Sequence, residues 1–389
     1  MNRALARLRT VADHLDARAA SGPSAAAAPS GARGHTSSAR AGLPTESRAL
    51  VFSQVGAPDK VLSVKQVPLG PLGPDSVLLK LLAAPVNPAD VNVIQGTYPI
   101  KPTFIEGIGA VGGNEGVGEV LATGSRVSTL KPGDWVIPLN RSFGLWQTHA
   151  HALASDLLKL PDISGVSPVL AATISVNPPT AYRMLKDFGE LKPGDVILQN
   201  SANSGVGQAV IQLARAWGFK TVNVVRSRPN LDELVKQLKD LGADMVVTEE
   251  QLRLPETAKQ IAALGPPPKL GLNGVGGKSA TNLARLLGDH AYFVTYGGMS
   301  KEPVTLPTSL FIFKDLKCCG FWMNKWNLTH PLEAREAIFR DLFELVRQGK
   351  LQEPIHEKFS LTQRPERELV AAVSGSLDGF LKGKPVIVP

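Results

Sequence analysis

The stretch VILQNSANSGVGQAVIQLARAWGFKTVNVV, Val196–Val225, decides the fold. Val196–Gln199 is a short unbroken apolar run, the pattern of a strand buried on both faces. A loop of small residues follows from Ser201 to Gly207. Gly207–Trp217 then spaces its apolar residues as a helix does, and Thr221–Val225 returns to a continuous apolar strand. Strand, tight turn, helix and strand make one βαβ unit, so the sheet is parallel. Working downstream, Leu231–Leu241 predicts the next helix, and Met245–Val247, Leu270–Val275 and Tyr292–Tyr296 predict further strands. The fold class is therefore α/β, with a doubly wound parallel sheet. Upstream, from Ala49 to about Leu170, the pattern differs. Leu50–Phe52, Val77–Leu82, Gly118–Leu121 and Trp135–Pro138 are short apolar runs cut by Gly/Pro turns, as in a barrel-like all-β unit. The last stretch, about Phe321–Pro389, carries an amphipathic helix at Glu333–Arg347 and a closing strand, expected to pack back on the β-rich unit.

Composition narrows the function classes. Of 389 residues, 43% are apolar and 20% charged, enough for a sizeable core and too apolar for a disordered chain. No apolar run approaches the roughly 18 residues of a spanning helix. Cys318 and Cys319 are the only cysteines and are adjacent, which excludes a disulfide framework and a Cys-rich zinc site. The net charge of +8 is half concentrated in residues 1–48, which hold seven arginines, thirteen alanines and three acids. An Arg-rich, acid-poor leader of this kind predicts an organelle transit peptide, a biased tail being the other reading. No basic run interleaved with aromatics points to nucleic acid.

The loop after Gln199 bears the chemistry. Small residues at Asn203, Ser204, Gly205 and Val206 let a backbone approach a pyrophosphate whose charge rests on the helix N-terminus. Ala202 and Ser204 stand where a strict GxGxxG has its first two glycines, and a tight turn explains Gly205 and Gly207 equally well. The end of the second strand adds weight: it reads Arg226-Ser227-Arg228, with no acid before Asp232. Cations and a hydroxyl there suit the 2′-phosphate of NADP, where a carboxylate would suit the ribose of NAD. Asn177 before Pro178 and Pro179 predicts a helix N-cap, with a cofactor contact as an additional reading. Tyr296-Gly297-Gly298-Met299 and Phe321-Trp322-Met323 leave the carboxyl ends of later strands, where ligands bind in open α/β sheets; packed turns are the alternative. His149 and His151 lack nearby ligand partners in sequence, and the pair Asn114-Glu115 has no histidine beside it, so metal chemistry is not expected. A proton donor is then sought among four tyrosines. Tyr182 and Tyr292 fall in predicted core elements, Tyr296 lies at the cofactor end of the sheet, and Tyr98 sits in the turn QGTYP, as consistent with packing as with an acid.

These phrases carry a resemblance across residues 50–389. NPAD (87–90), IQGTYP (94–99), GGNEGVG (112–118), VNPPTAY (176–182), NSGVG (203–207), NGVGGKSA (273–280) and TYGGM (295–299) resemble the mitochondrial trans-2-enoyl thioester reductases, in the zinc-free branch of the medium-chain dehydrogenases/reductases. The resemblance implies a GroES-like β-barrel substrate domain (residues 49–172 and 324–389) and a Rossmann NADPH-binding domain (173–323), behind a mitochondrial transit segment (1–48). It implies proton donation by Tyr98 and NADPH contacts from Asn177, Asn203–Val206, Arg226–Arg228, Tyr296–Met299, Phe321–Met323 and Lys384. A matrix location, an enoyl thioester substrate on acyl carrier protein or CoA, and a homodimer are also implied. Three departures stand out, one of them the atypical phrase Pro102–Gly109 before the Gly-rich turn. GLWQ (144–147) replaces the family's Gly-Thr-Trp-Arg, removing a cation expected near the cleft, and Gly274 stands where cysteine is common.

The expected reaction delivers hydride from NADPH to C3 of the enoyl thioester and a proton from Tyr98 to C2. A phenol holds its proton at neutral pH and donates it without prior charging. Two other functions are weighed: an NADPH:quinone or 2-alkenal reductase, and a receptor-docking helix from the LxxLL match at Leu283–Leu287.

Overall fold

In the computed structural model the described residues are 42–139, 143–377 and 381–389. The expected transit segment therefore lies almost wholly outside them. The β-rich unit begins with β1 (Glu46–Phe52), β2 (Leu62–Pro68), β3 (Ser76–Pro85) and β4 (Ala110–Val111). It continues with β5 (Val117–Thr123), β6 (Trp135–Pro138), β7 (His149–Leu153) and β8 (Leu157–Lys159). β2, β1 and β4 form one small antiparallel sheet, and β3 pairs with β5 and β7 in a second. The Leu50 N–H donates to Trp146 O at 2.9 Å and tacks the two sheets together. Trp146 and Phe52 are fully buried between them. Gly112 and Gly113 are required beneath that indole: a Cβ on either would fall 2.3–2.5 Å from its ring.

The parallel sheet is formed by β9 (Val196–Gln199), β10 (Lys220–Val225), β11 (Met245–Thr248), β12 (Leu270–Asn273), β13 (Tyr292–Thr295) and β14 (Lys317–Gly320). Its order is β11-β10-β9-β12-β13-β14, every pairing parallel. This is the dinucleotide-binding order, with its switch point between β9 and β12, where ligands bind at the carboxyl ends. The strands of Val196–Val225 fall where the apolar runs place them, but the helix between them begins at Gly205, two residues earlier than its periodicity suggests. Ser204 explains the shift: its Oγ accepts the Gly207 N–H at 3.1 Å and caps the helix.

The returning chain divides its packing: its closing strands join the β-rich unit as expected, but the helix before them lies instead on the helix Asn177–Asp187, where Asp341 accepts the Tyr182 hydroxyl. The helix Leu332–Arg347 buries Ile338, Phe339, Leu342 and Phe343, and β15 (His356–Ser360) and β16 (Lys384–Val388) join the sheet of β3. β16 thereby delivers Lys384 to the start of the helix Pro88–Ile94.

Candidate active site

At the switch point the loops after β9 and β12 are tied together by side chains. Asn200 Nδ2 donates to Asn273 Oδ1 at 2.8 Å, and Asn200 Oδ1 accepts the Gly274 N–H at 2.8 Å. The loop after β13 is fixed in turn, because Tyr296 N–H donates to Asn273 O and Met299 N–H to Gly274 O. The loops after β9, β12 and β13, which carry Asn203–Val206, Gly274 and Tyr296–Met299, are thus held together at the carboxyl ends of their strands. Around Gly298 there is open space, and Met299 is exposed. Arg226 and Ser227 are exposed at the end of β10, with Arg228 half-buried beside them. Burial and the charge of Arg226 both lower the Arg228 pKa from its usual value.

Tyr296 follows β13 at the cofactor end of the sheet, as its place in the sequence suggests, but its side chain turns into the protein. Its hydroxyl is enclosed, and burial, opposed by Ser204, pushes its pKa up to about 12. Gly274 makes this possible: a Cβ there would lie 2.9 Å from the Tyr296 oxygen. The departure at position 274 is thus matched by a tyrosine hydroxyl that uses the space. Phe321 and Met323 also turn inward. Phe321 packs edge-on against Phe188, and Met323 is buried.

Trp322, between them, turns out, and here the two halves of the site meet. Its Nε1–H donates to the Tyr98 hydroxyl at 3.1 Å, and the rings sit edge to face 6.3 Å apart. Tyr98 is presented by a short hydrogen-bonded turn in which Asn92 O accepts both the Thr97 and Tyr98 N–H groups. The indole N–H fills one lone pair of the phenol oxygen, which leaves the phenol's own proton free to point elsewhere in the cleft. The turn itself rests on the helix Pro88–Ile94, which Asn87 and Asp90 start as a capping box. Burial raises the Asp90 pKa, against the N–H groups of Asn87 and Asn114 that bond its carboxylate.

Asn177 does not take the N-cap position expected of it. It is the first residue of its helix, not the cap, and its Nδ2 donates to Asn87 Oδ1 at 3.2 Å. Lys384 reaches the same oxygen at 2.6 Å. Its burial lowers the pKa, while Glu115 and Asp90 hold it up. The network Asn87–Glu115–Lys384 was not legible as a site, because its members lie 28 to 297 residues apart. The one local signal is Asn87 before Pro88, a pattern that by itself marks no more than a helix start.

Gln147 does not line the cleft. It is buried, takes a hydrogen bond from Ser47 and gives one to Gly144 O, so the lost arginine is replaced by an internal strut of the barrel. His149 and His151 lie on β7 with pKa values lowered by burial. Among the described residues, no three His, Cys, Asp or Glu side chains converge as metal ligands would. The LxxLL segment is closed to partners, since Leu283 and Leu287 are buried against the sheet.

The residues present fit a 2′-phosphorylated dinucleotide. A capped helix N-terminus faces the switch point, two guanidinium groups stand at the end of β10, and the crevice floor is backbone and glycine. A parallel sheet of this order, joined to an antiparallel barrel across such a cleft, defines a medium-chain dehydrogenase/reductase. The comparisons agree: the zinc-binding dehydrogenase family matches residues 205–338, and the alcohol dehydrogenase GroES-like domain matches residues 73–162. The chain is 48% identical over 357 residues to the mitochondrial enoyl-acyl-carrier-protein reductase of Mus musculus, covering 91% of this chain and 92% of that one. It superimposes on the mitochondrial 2-enoyl thioester reductase Etr1p/Etr2p heterodimer from Candida tropicalis with TM-score 0.81 and 40% identity, over 88% of this chain and all of that one. An Etr1p complex with NADP and crotonyl-CoA gives the same score, identity and coverage. The chain belongs to the mitochondrial enoyl-acyl-carrier-protein reductase family.

Proposed function

We propose that this chain is an NADPH-dependent trans-2-enoyl thioester reductase of mitochondrial fatty acid synthesis, acting on substrates carried by acyl carrier protein or CoA. The observation that carries the reading is the Tyr98–Trp322 hydrogen bond, which sets a phenol at the cofactor end of the parallel sheet. Bound NADPH supplies the hydride that goes to C3. Arg226, Ser227 and Arg228 hold the 2′-phosphate, and Asn203–Val206 hold the pyrophosphate at the helix N-terminus. Asn177, Lys384, Tyr296–Met299 and Phe321–Met323 complete the cofactor contacts. Charge that develops on the thioester oxygen is met by backbone N–H groups of the cleft. Tyr98 gives its proton to C2 while the Trp322 N–H holds the phenol oxygen. The exposed Trp322 face borders the acyl chain. A quinone reductase shares the fold, but it would leave the Tyr98–Trp322 pair without a task.

The proposed division is a substrate domain of residues 49–172 and 324–389 and a cofactor domain of 173–323. Supporting it, the strands of the parallel sheet all lie between Val196 and Gly320, while β15 and β16 complete the barrel sheet. We also propose a homodimer formed along β14. That strand ends the parallel sheet with Lys317, Cys318 and Gly320 exposed, and the helix before it, Thr308–Lys314, leaves Phe311, Ile312 and Phe313 45%, 66% and 78% exposed.

Tyr98→Phe tests the central role. It is expected to lower kcat on a trans-2-enoyl-CoA by about 10²–10⁴, with NADPH binding little changed. Near-normal turnover would remove Tyr98 from the reaction.

A further inference from the structure

Glu115 is almost completely buried, 1% exposed, in the turn between β4 and β5, and no step above uses it. Its two oxygens face different parts of the site. Oε2 accepts the Asn87 Nδ2–H at 2.7 Å, and Oε1 accepts the Val176 N–H at 2.8 Å and the Ser175 hydroxyl at 3.2 Å. Asn87 starts the helix that leads to Tyr98, and Val176 directly precedes Asn177 at the head of another helix. A carboxylate accepts only, so it dictates which way the Asn87 amide points. With Nδ2 committed to Glu115, the Asn87 oxygen must face the opposite way. There it accepts the Lys384 ammonium at 2.6 Å and the Asn177 amide at 3.2 Å. The reversed amide would set N–H groups against an ammonium.

We propose that Glu115 is a positioning residue for the reduction: by fixing the Asn87 amide and the Val176 backbone together, it sets Lys384 and Asn177 at a defined spacing from the turn that carries Tyr98. This rests on the reading of Asn177 and Lys384 as cofactor contacts and of Tyr98 as proton donor. The carboxylate touches neither reactant; it acts through the amide it orients.

The chemistry allows an exchange test. In Glu115→Gln, whichever way the new amide turns, one of its N–H groups meets a donor, either Asn87 Nδ2 or the Val176 N–H. In Asn87→Asp, two carboxylates face each other. In the double variant the pattern is restored with donor and acceptor swapped. The Gln amide donates to the new carboxylate, which still accepts from Lys384 and Asn177, and the Gln oxygen still accepts from Val176. NADPH affinity is read by fluorescence titration, kcat with crotonyl-CoA, and folding by thermal denaturation. Each single variant is expected to weaken NADPH binding and lower kcat about tenfold or more, the usual loss when a buried polar group is left mismatched. The double variant is expected to regain most of both. Should Glu115→Gln not fold, Asn87→Asp and the double variant carry the same comparison. Wild-type NADPH affinity and kcat in a folded single variant, or a double variant no better than the worse single, would overturn the proposal. Tyr98→Phe in the same series keeps the two readings apart. Normal turnover there defeats the proton-donor role, while the NADPH titrations still judge Glu115.

Discussion

Arg226 and Arg228 stand at the end of β10 where a carboxylate would select the unphosphorylated cofactor, and Ser227 between them adds a hydroxyl. Bonds from guanidinium to phosphate are charge-assisted and geometrically specific, and a lysine would not reproduce them. Replacing both arginines by alanine is expected to weaken NADPH binding about 10- to 100-fold and NADH binding much less, as measured by titration of each nucleotide. Equal losses for both would place the arginines away from the phosphate. This part of the site was legible in sequence, because the cations follow a strand within a βαβ unit and need no distant partner. Tyr98 was legible only through the resemblance. Its donor in the structure, Trp322, is 224 residues away, and no local pattern announces that contact.

At the scale of elements, local rules did most of the work and failed at their edges. The apolar runs of β9, β10 and β6 and the helix Leu231–Leu241 lie where periodicity puts them. The helix after β9 gains two residues at its start because Ser204, between small residues with no apolar period, acts as its cap. Asn177, chosen as a cap by its type, is drawn into its helix because Asn87 holds its side chain. The turn before the first of these helices is also sterically closed. A Cβ on Gly207 would fall 2.4 Å from Ala202 O, a backbone atom that cannot give way cheaply. Ser204→Ala is expected to cost about 0.5–2 kcal/mol in urea unfolding, the usual range for a lost cap. Gly207→Ala is expected to cost more, through backbone displacement, with NADPH binding lost in parallel. A Gly207→Ala protein as stable as the parent would show that the loop is looser than its packing implies.

For the whole molecule, the arrangement brings a barrel, a parallel sheet and a returning C-terminal segment to one cleft. Lys384 illustrates why sequence order conceals this: the last strand carries it to Asn87, 297 residues upstream. The exposed Phe311, Ile312 and Phe313 beside the open edge of β14 belong to the same scale. Ile312→Glu with Phe313→Glu is expected to shift the protein from dimer to monomer in light scattering after gel filtration, with the monomer's fold retained. A parent protein that is already monomeric would dismiss that interface. The central claim, that the cleft reduces enoyl thioesters with the phosphorylated cofactor, is tested most directly by initial rates of NADPH and NADH oxidation with crotonyl-CoA and a decenoyl-CoA, against a small quinone. NADPH is expected to be oxidised rapidly with the thioesters, NADH slowly, and either nucleotide little with the quinone. Preference for NADH, or thioesters left unreduced while the quinone turns over, would contradict it.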